Sequence, residues 1–184
     1  METLLYKEKF EYDGSQLSSH FAYRSFGILG DSAVAFLGPC EVKLQAMVDI
    51  EDVRRDAPIY SREMLHFIVE SFAFDLKAAA AFQRLMVCIA AERLAGEKGL
   101  KVTRKGDDLF VEGRKLSVSI AAASPVSTLI HLGLNVDATG APVPAIGLAE
   151  LGIDVPAYAA LCLNSFRDEY ESLLGATWKV RPLR

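Results

Sequence analysis

Apolar and polar residues alternate through most of residues 106–137 with the two-residue period of β-strands. The pattern predicts "LKVTR" with "DLFV", then "KLSVSIA", then "STLIHLGLNV" as strands. In the second of these segments the apolar positions occupy one side of the strand and the polar positions the other: Leu116, Val118 and Ile120 against Lys115, Ser117 and Ser119. One side therefore belongs to a core, and the other faces solvent or a ligand.

The rest of the chain alternates between shorter strands and helices. We predict strands at 4–12, 32–38 and 64–72, a helix at 13–27, one or two helical turns at 48–56, and a long helix from about 75 to 98. Ser15 is a candidate N-cap, and Gly27 and Gly99 are candidate helix ends. Helices at 143–152 and 155–175 close the chain. This order indicates an α+β fold with a mainly antiparallel sheet flanked by helices.

Loop lengths give a hypothesis for which polar residues share a face. A two-residue loop at Glu112-Gly113 would pair Phe110 with Lys115 and set Asp108 opposite Ser117. A three-residue loop at 124–126 would set Ser119 opposite His131, Ser117 opposite Gly133 and Lys115 opposite Asn135. The shared face would then hold Asp108, Lys115, Ser117, Ser119, His131 and Asn135, with Gly133 leaving space among them. A one-residue slip in either loop would send half of this set to the other face.

Two interpretations of this face stay open. Antiparallel sheets commonly expose one polar face to solvent. The residues here are nevertheless a lone cation, small hydroxyls, a glycine and an amide, a composition that suits a concave surface for a small-molecule ligand.

Composition narrows the class of protein. With 184 residues, 51% of them hydrophobic, the chain is long enough for one core, and we predict a single domain over 1–184. A formal net charge of -4 without a basic stripe argues against nucleic-acid binding. The longest apolar window, 78–91, contains Gln83 and Arg84, which argues against a membrane span. Three widely spaced cysteines favour a cytoplasmic protein with reduced thiols.

Several motifs carry a resemblance to known families. "GDDLFVEGRKLSVSIA" and "HLGLNVD" resemble strands of biotin and lipoate protein ligases, "GLAELGID" resembles a helix start in those enzymes, and "AVAFLG" followed by "VRRDAPIYSREMLHFIVE" resembles a lipoate-ligase stretch. The whole chain, including "GPCEVKLQAMVDIEDV", is similar to domain-of-unknown-function family 366. The resemblance implies a class II synthetase-like domain in which a sheet cradles an acyl-adenylate.

The resemblance also implies roles for individual residues. Lys115 matches the lysine that contacts the acyl carboxylate and the α-phosphate, and Asp108 matches an aspartate that helps hold magnesium or phosphates, with Asp107 beside it. Asn135 matches an asparagine that reads the adenine edge, and Arg54 and Arg55 match an arginine pair. The implied cofactors are ATP and magnesium.

The chain departs from the ligase pattern in two places. It has "RRDAPIYSRE" where the ligases have glycine-rich loops, and Val118 where they have a glycine that opens the acyl pocket. We therefore expect a substrate other than biotin or lipoate.

Several other residues are candidates for structural or functional roles. Arg54 and Arg55 suit a phosphate clamp or the solvated end of a short helix. We expect His66 to be a hydrogen-bonded or half-exposed core residue, Phe166 and Trp178 to anchor the last helix and tail, and Tyr60 to pack on the core or line a site. Cys40 with a nearby histidine is a less favoured nucleophilic pair.

Three functions follow as hypotheses. The first is a ligase or acyltransferase with Lys115 as electrostatic catalyst, and the second is a small-molecule-binding module without adenylation. The third is a structural homo-oligomer, and the apolar content suits a homodimer through an edge strand.

Overall fold

A five-stranded sheet lies at the centre of the computed structural model, which describes residues 1–182 apart from the side chain of Lys98. In chain order the strands are β1 (Glu2–Leu5), β2 (Ser32–Val42), β3 (Ile59–Ser71), β4 (Val102–Lys105), β5 (Asp108–Val111), β6 (Arg114–Lys115), β7 (Ser117–Ala123) and β8 (Thr128–Asp137). The large sheet has the order β1-β2-β3-β8-β7, and β4-β5-β6 form a second, three-stranded sheet. Among the strands that the structure describes in the large sheet, only β1 and β2 are parallel neighbours, so the predicted mainly antiparallel sheet is confirmed.

In the described part of the chain, four α-helices accompany the sheets: α1 (Phe21–Phe26), α2 (Ile50–Arg54), α3 (Leu76–Lys98) and α4 (Val155–Trp178), with a 3-10 turn at Leu44–Ala46. Aspartate side chains cap the last three by accepting backbone N–H bonds: Asp49 for α2, Asp75 for α3 and Asp154 for α4. No helix within residues 1–182 is long and apolar enough to cross a membrane.

The two faces of the large sheet are covered differently. The helix-covered face packs Leu132 and Leu134 of β8 in one core cluster with Met86 of α3 and Phe166 of α4. On the loop-covered face, Phe36 and Met64 share a second cluster with Tyr12 and with Phe21 of α1. This cover comes from residues 6–28, which run beside β2 and bond to it through the backbone N–H groups of Tyr6, Phe10 and Tyr12.

Element bounds differ from the sequence prediction mainly near the ends of the chain. The first strand ends at Leu5, and helix α1 begins only at Phe21, so Ser15 is not its cap. The predicted helix at 143–152 is wrong: its backbone instead bonds to neighbouring strands, as when Ile146 N–H donates to Lys115 O. Trp178 is 79% exposed and anchors nothing, whereas Phe166 is buried as expected.

The hairpin at Glu112-Gly113 forms as predicted. Both loop residues have positive φ, 52° at Glu112 and 76° at Gly113, as a type I′ turn requires. Phe110 pairs with Lys115 and Val111 with Arg114.

The predicted register of the β7–β8 hairpin is wrong by one residue. Ser127 stays in the loop because Ser124 N–H donates to Ser127 O at 2.8 Å, so Ala123 pairs with Thr128. Ser119 therefore pairs with Leu132, and His131 pairs with Ile120. The slip divides the predicted polar set: Ser117 and Ser119 turn toward the helices, while His131, Gly133 and Asn135 lie on the loop-covered face.

An irregularity at Leu116 returns Lys115 to the loop-covered side. Leu116 belongs to the helix-covered core, and the next residue, Ser117, also pairs with a core residue of that side, Leu134. Two consecutive residues on one side break the alternation. Lys115 lies beyond the break, where its N–H donates to Pro144 O and its carbonyl accepts from Ile146 N–H.

Candidate functional site

Two adjoining cavities open on the loop-covered face. The first, here called the histidine cavity, has a volume of about 220 Å³ and includes Tyr12, Val118, Ile120 and His131 in its wall. The second, the asparagine cavity, has a volume of about 440 Å³ and is lined by residues that include Tyr60, Met64, Ser117, Asn135 and Pro142. Five residues line both cavities: Asp52, Arg55, Ile59, Lys115 and Val118. The two cavities thus meet around one lysine.

Lys115 is held at this junction by backbone and side-chain contacts. Its Nζ lies 2.9 Å from Asp108 Oδ2, and both side chains are 30% exposed. Burial raises the pKa of Asp108, and the lysine beside it acts in the opposite direction. The structure therefore places the predicted catalytic lysine and predicted metal ligand in direct contact.

Asn135 contacts Lys115 through its side-chain amide and not through the predicted strand pairing. Its Nδ2 donates to Lys115 O at 3.3 Å, and its own N–H donates to Leu116 O at 2.9 Å. The amide is buried, 7% exposed, and lines the asparagine cavity. One amide N–H and the amide oxygen remain for a ligand.

The side chains of three other predicted ligand-binding residues are engaged in hydrogen bonds between elements of the fold. Ser117 Oγ accepts from Leu109 N–H at 2.8 Å, and Ser119 Oγ accepts from Gln83 Nε2 at 2.7 Å. Asp107 accepts from Gln83 Nε2 at 3.0 Å and from Arg84 at 2.8 Å. These groups join the three-stranded sheet, β7 and α3, because the shifted register points the serines toward the helix.

Gly133 does not leave the open space that was expected. A Cβ at this position would lie 2.2 Å from Met64 Sδ and 3.2 Å from His131 Cε1. The space is already filled by those two side chains, so glycine serves their packing.

The two arginines are separated by the structure. Arg55 lines both cavities and pairs with Glu51 at 3.1 Å. Arg54 is exposed and lines neither cavity, which agrees with the solvated-helix-end reading for that residue.

Sequence reasoning missed a buried pair of histidines. His66 Nδ1 lies 3.1 Å from His131 Nε2, and His66 Nε2 lies 3.3 Å from Gly38 O. The Tyr12 ring stacks on His131 with centroids 3.9 Å apart. Burial lowers the pKa of His66 to about 3 and the pKa of His131 well below its usual value. Only the pairing of β3 with β8 brings the two rings together, since they are 65 residues apart.

Cys40 does not join this pair. The thiol is fully buried, lines neither cavity, and has a pKa raised to about 12 by burial. A reactive thiolate needs a lowered pKa and some exposure, so the geometry does not favour a nucleophilic cysteine.

The histidine cavity carries an excess of acidic side chains. Its wall contains five carboxylates (Asp49, Glu51, Asp52, Asp107 and Asp108) against the two cations Arg55 and Lys115, a formal sum of −3. Burial raises the pKa of Asp52, and Lys115 acts in the opposite direction. Within residues 1–182 no three His, Cys, Asp or Glu side chains converge as a ready-made metal site.

Comparison with known proteins gives the family. The sequence profile described as "Domain of unknown function (DUF366)" matches residues 1–181, and the chain belongs to this family. It is 41% identical over 159 residues to uncharacterized protein MJ0805 of Methanocaldococcus jannaschii, covering 83% of this chain and 72% of that protein. A solved protein of unknown function from Pyrococcus horikoshii matches at a TM-score of 0.95 and 45% identity, over 100% of this chain and 99% of that chain.

More distant solved structures share the fold. Biotin protein ligase from Aquifex aeolicus superposes with a TM-score of 0.58 at 15% identity, over 94% of this chain and 72% of that chain. Lipoate-protein ligase A bound with ATP superposes with a TM-score of 0.59 at 14% identity, over 93% and 86% of the two chains. The predicted biotin/lipoate ligase-like fold is thereby confirmed, and at this identity the likeness concerns the fold alone.

Proposed function

We propose that the protein binds a nucleotide together with a small carboxylic acid in the two adjoining cavities, and that it uses Lys115 to promote formation of an acyl-adenylate. The observation that carries this proposal is the position of Lys115, which lines both cavities at their junction. The nucleotide base would occupy the asparagine cavity, where Asn135 offers an amide donor and acceptor. The acid would occupy the histidine cavity, and the two reacting groups would meet at the lysine.

The chemistry needs a fixed cation at this point. One carboxylate oxygen of the acid forms a bond to the α-phosphorus of ATP, while the bond from that phosphorus to the bridging oxygen breaks and pyrophosphate leaves with the electron pair. Negative charge on the phosphoryl oxygens must be stabilised throughout this step. The ammonium of Lys115, already anchored by Asp108, supplies preorganised electrostatic stabilisation there.

The residues present fit magnesium when it arrives with a nucleotide. Magnesium is commonly bound by one or two carboxylates plus substrate phosphates rather than by a complete protein cage. Asp108 and Asp52 both line the histidine cavity, and the positive charge of Lys115 acts to lower the pKa of each carboxyl group. Bound magnesium would offset the excess of carboxylates that would otherwise repel a nucleotide.

Valine at position 118 bears on the size of the acid. Its side chain lines both cavities and occupies space where the ligases have a glycine. A volume of about 220 Å³ is below the range usual for drug-sized ligands, which favours a compact acid.

A melting-temperature screen tests binding. The protein would be heated with ATP or AMP, with and without magnesium, and with a panel of carboxylic acids. A ligand present at a hundred times its Kd adds about 2.7 kcal/mol to the stability of the native state. We expect stabilisation by magnesium nucleotide and a further increase with the right acid.

Matched lysine variants make the screen specific. Lys115→Ala should keep the fold and lose the ligand effect, whereas Lys101→Ala, an exposed lysine outside both cavities, should behave like the unaltered protein. Adenylation itself is measured by exchange of labelled pyrophosphate into ATP in the presence of the acid. Exchange that survives Lys115→Ala would contradict the role of the lysine.

A second candidate function is a binding module that does not adenylate. The net acidic wall of the histidine cavity and the absence of glycine-rich loops favour it. Such a module would be stabilised by a small molecule without ATP and would show no pyrophosphate exchange.

The single-domain organisation, the cytoplasmic location and the homodimer stay predictions. Strands β1 and β7 are the edges of the large sheet, where a second copy could add. Light scattering coupled to size-exclusion chromatography measures the oligomeric state. A stable dimer with no ligand response in the screen would favour the structural homo-oligomer.

A further inference from the structure

The buried histidine pair has a fixed direction of hydrogen bonding. Gly38 O can only accept, so His66 Nε2, 3.3 Å away, carries a proton and donates. A neutral imidazole with its proton on Nε2 leaves Nδ1 as an acceptor. His131 Nε2, 3.1 Å from that atom, must therefore carry a proton and donate in turn.

The last nitrogen in this series of hydrogen bonds is His131 Nδ1. With its proton on Nε2, a neutral His131 has a lone pair on Nδ1, and that atom has no hydrogen-bonding partner among the described residues. The residue His131 is 2% exposed yet lines the histidine cavity. Burial lowers the pKa of both imidazoles, which keeps them neutral at neutral pH.

Packing holds the His131 ring in this orientation. Tyr12 stacks on it with an interplanar angle of 14°. A side chain at Gly133 would come within 3.3 Å of His131 Nε2, so glycine leaves room for the bond to His66. The acceptor is therefore preorganised and does not have to be ordered when a ligand binds.

We infer that His131 Nδ1 is a specificity-determining acceptor, and that the acid taken into the histidine cavity carries a neutral O–H or N–H donor on the part of the molecule remote from its carboxylate. The inference rests on the proposed function for the placement of the carboxylate at Lys115. It adds the substrate class: a compact hydroxy or amide acid rather than a purely aliphatic one. An aliphatic tail that filled the cavity would bury this acceptor without a partner, which carries an energetic penalty.

The tautomers can be measured on the unaltered protein without any ligand. The protein has three histidines, His20, His66 and His131, so long-range ¹H–¹⁵N correlation spectra of ¹⁵N-histidine-labelled protein are readily assigned. We expect both buried imidazoles to be neutral at pH 7, with the proton on Nε2 and none on Nδ1. A proton on Nδ1 of His131, or a charged His131, would overturn the inference whatever the protein binds.

Ligand selection is tested with matched probes. Straight-chain ω-hydroxy acids would be compared with their ω-methyl ethers by calorimetric titration in the presence of magnesium and a non-hydrolysable ATP analogue. At the best chain length we expect the hydroxy acid to bind about tenfold more tightly than its ether, and its binding to shift the ¹⁵N resonance of His131 Nδ1. In His131→Phe, which keeps an aromatic ring for Tyr12, the preference should disappear, while His20→Gln should retain it.

The outcomes separate this inference from the proposed function. Equal binding of the hydroxy acid and the ether, both lost in Lys115→Ala, would overturn the role of His131 and leave the nucleotide-dependent acid site standing. No binding of any acid would overturn the inference, and the absence of a magnesium-nucleotide response as well would overturn the proposed function. If His131→Phe does not fold, the resonance shift in the unaltered protein decides: a shift with the hydroxy acid alone supports the inference, and an equal shift with the ether contradicts it.

Discussion

The two faces of the large sheet use polar residues in opposite ways. On the helix-covered face, Ser117 and Ser119 spend their hydroxyls on Leu109 N–H and Gln83, so they fasten one element to another. Both serines border the cavities as well, but their hydroxyls are already bonded within the fold. On the loop-covered face, the buried residues His131 and Asn135 also line the cavities, and each keeps a hydrogen-bonding group without a partner among the described residues. The difference shows that burial of a polar side chain does not identify a site; what matters is whether its hydrogen bonds are already satisfied within the fold.

The largest expected effect concerns the helix-covered face. Phe166→Ala should lower the free energy of unfolding by about 3–5 kcal/mol, because it removes a fully buried aromatic side chain from the core. Denaturant unfolding measures this loss. The Kd of any nucleotide for the native protein should stay unchanged, and a Kd weakened tenfold would mean that the helix-covered face also shapes the site.

On the loop-covered face, the close approach of residues 6–28 to β2 should dominate stability. A Cβ at Gly38 would lie 2.0 Å from Phe10 O, a backbone atom, so Gly38→Ala should lower the free energy of unfolding by about 3 kcal/mol. The control is Gly96→Ala in α3, where a Cβ meets nothing within 4 Å and where alanine should stabilise by about 0.5–1 kcal/mol. Equal stability changes for both variants would contradict the close packing of residues 6–28.

A smaller loss is expected from the serine that joins the two sheets. Ser117→Ala leaves the buried Leu109 N–H without its partner and should lower the free energy of unfolding by about 1–3 kcal/mol, with ligand binding unchanged. Ser165→Ala removes a hydroxyl bonded to Leu161 O on the exposed side of α4 and should stay within about 0.5 kcal/mol. A loss of ligand affinity in Ser117→Ala would mean that Ser117 contributes to ligand binding after all.

The last expected effect is a pH dependence of the free energy of unfolding that comes from the histidine pair. The pKa of His66 is about 3 in the folded protein, below the value of about 6.5 expected in the unfolded chain. Between these values the unfolded state binds the proton and the native state does not, so stability falls as pH is lowered, by about 1.4 kcal/mol per pH unit for each such histidine. The raised pKa values of Asp52 and Asp108 act in the opposite direction.

Denaturant unfolding at pH 7, 6 and 5 measures this dependence, and a variant isolates it. His131→Phe removes one depressed group and leaves the carboxylates in place, so its stability should fall less steeply toward acid than that of the unaltered protein. His20→Gln serves as the control, because this histidine lies outside the pair. Identical slopes in His131→Phe and the unaltered protein would contradict the lowered pKa values.

Much of the fold was determined by local sequence signals. Helix α3 begins after the Asp75 cap and ends at Gly99, where φ is 62°, and the Glu112-Gly113 hairpin follows from two residues that tolerate positive φ. These features depend on a few neighbouring residues. The apolar strands β3 and β8 were predictable for a similar reason, since their signals are continuous in the sequence. The ligase-like fold was predicted instead from the resemblance of several separate motifs to those enzymes.

Only the tertiary structure decided which polar residues form the site. The 124–127 loop is one residue longer than predicted, so each β8 side chain shares a face with a different set of β7 side chains. The break at Leu116 then places Lys115 on the loop-covered face. A two-residue period makes every side-chain direction depend on such single-residue details. The His66–His131 pair depends in the same way on the register between β3 and β8, a long-range contact that the local sequence of either strand does not determine.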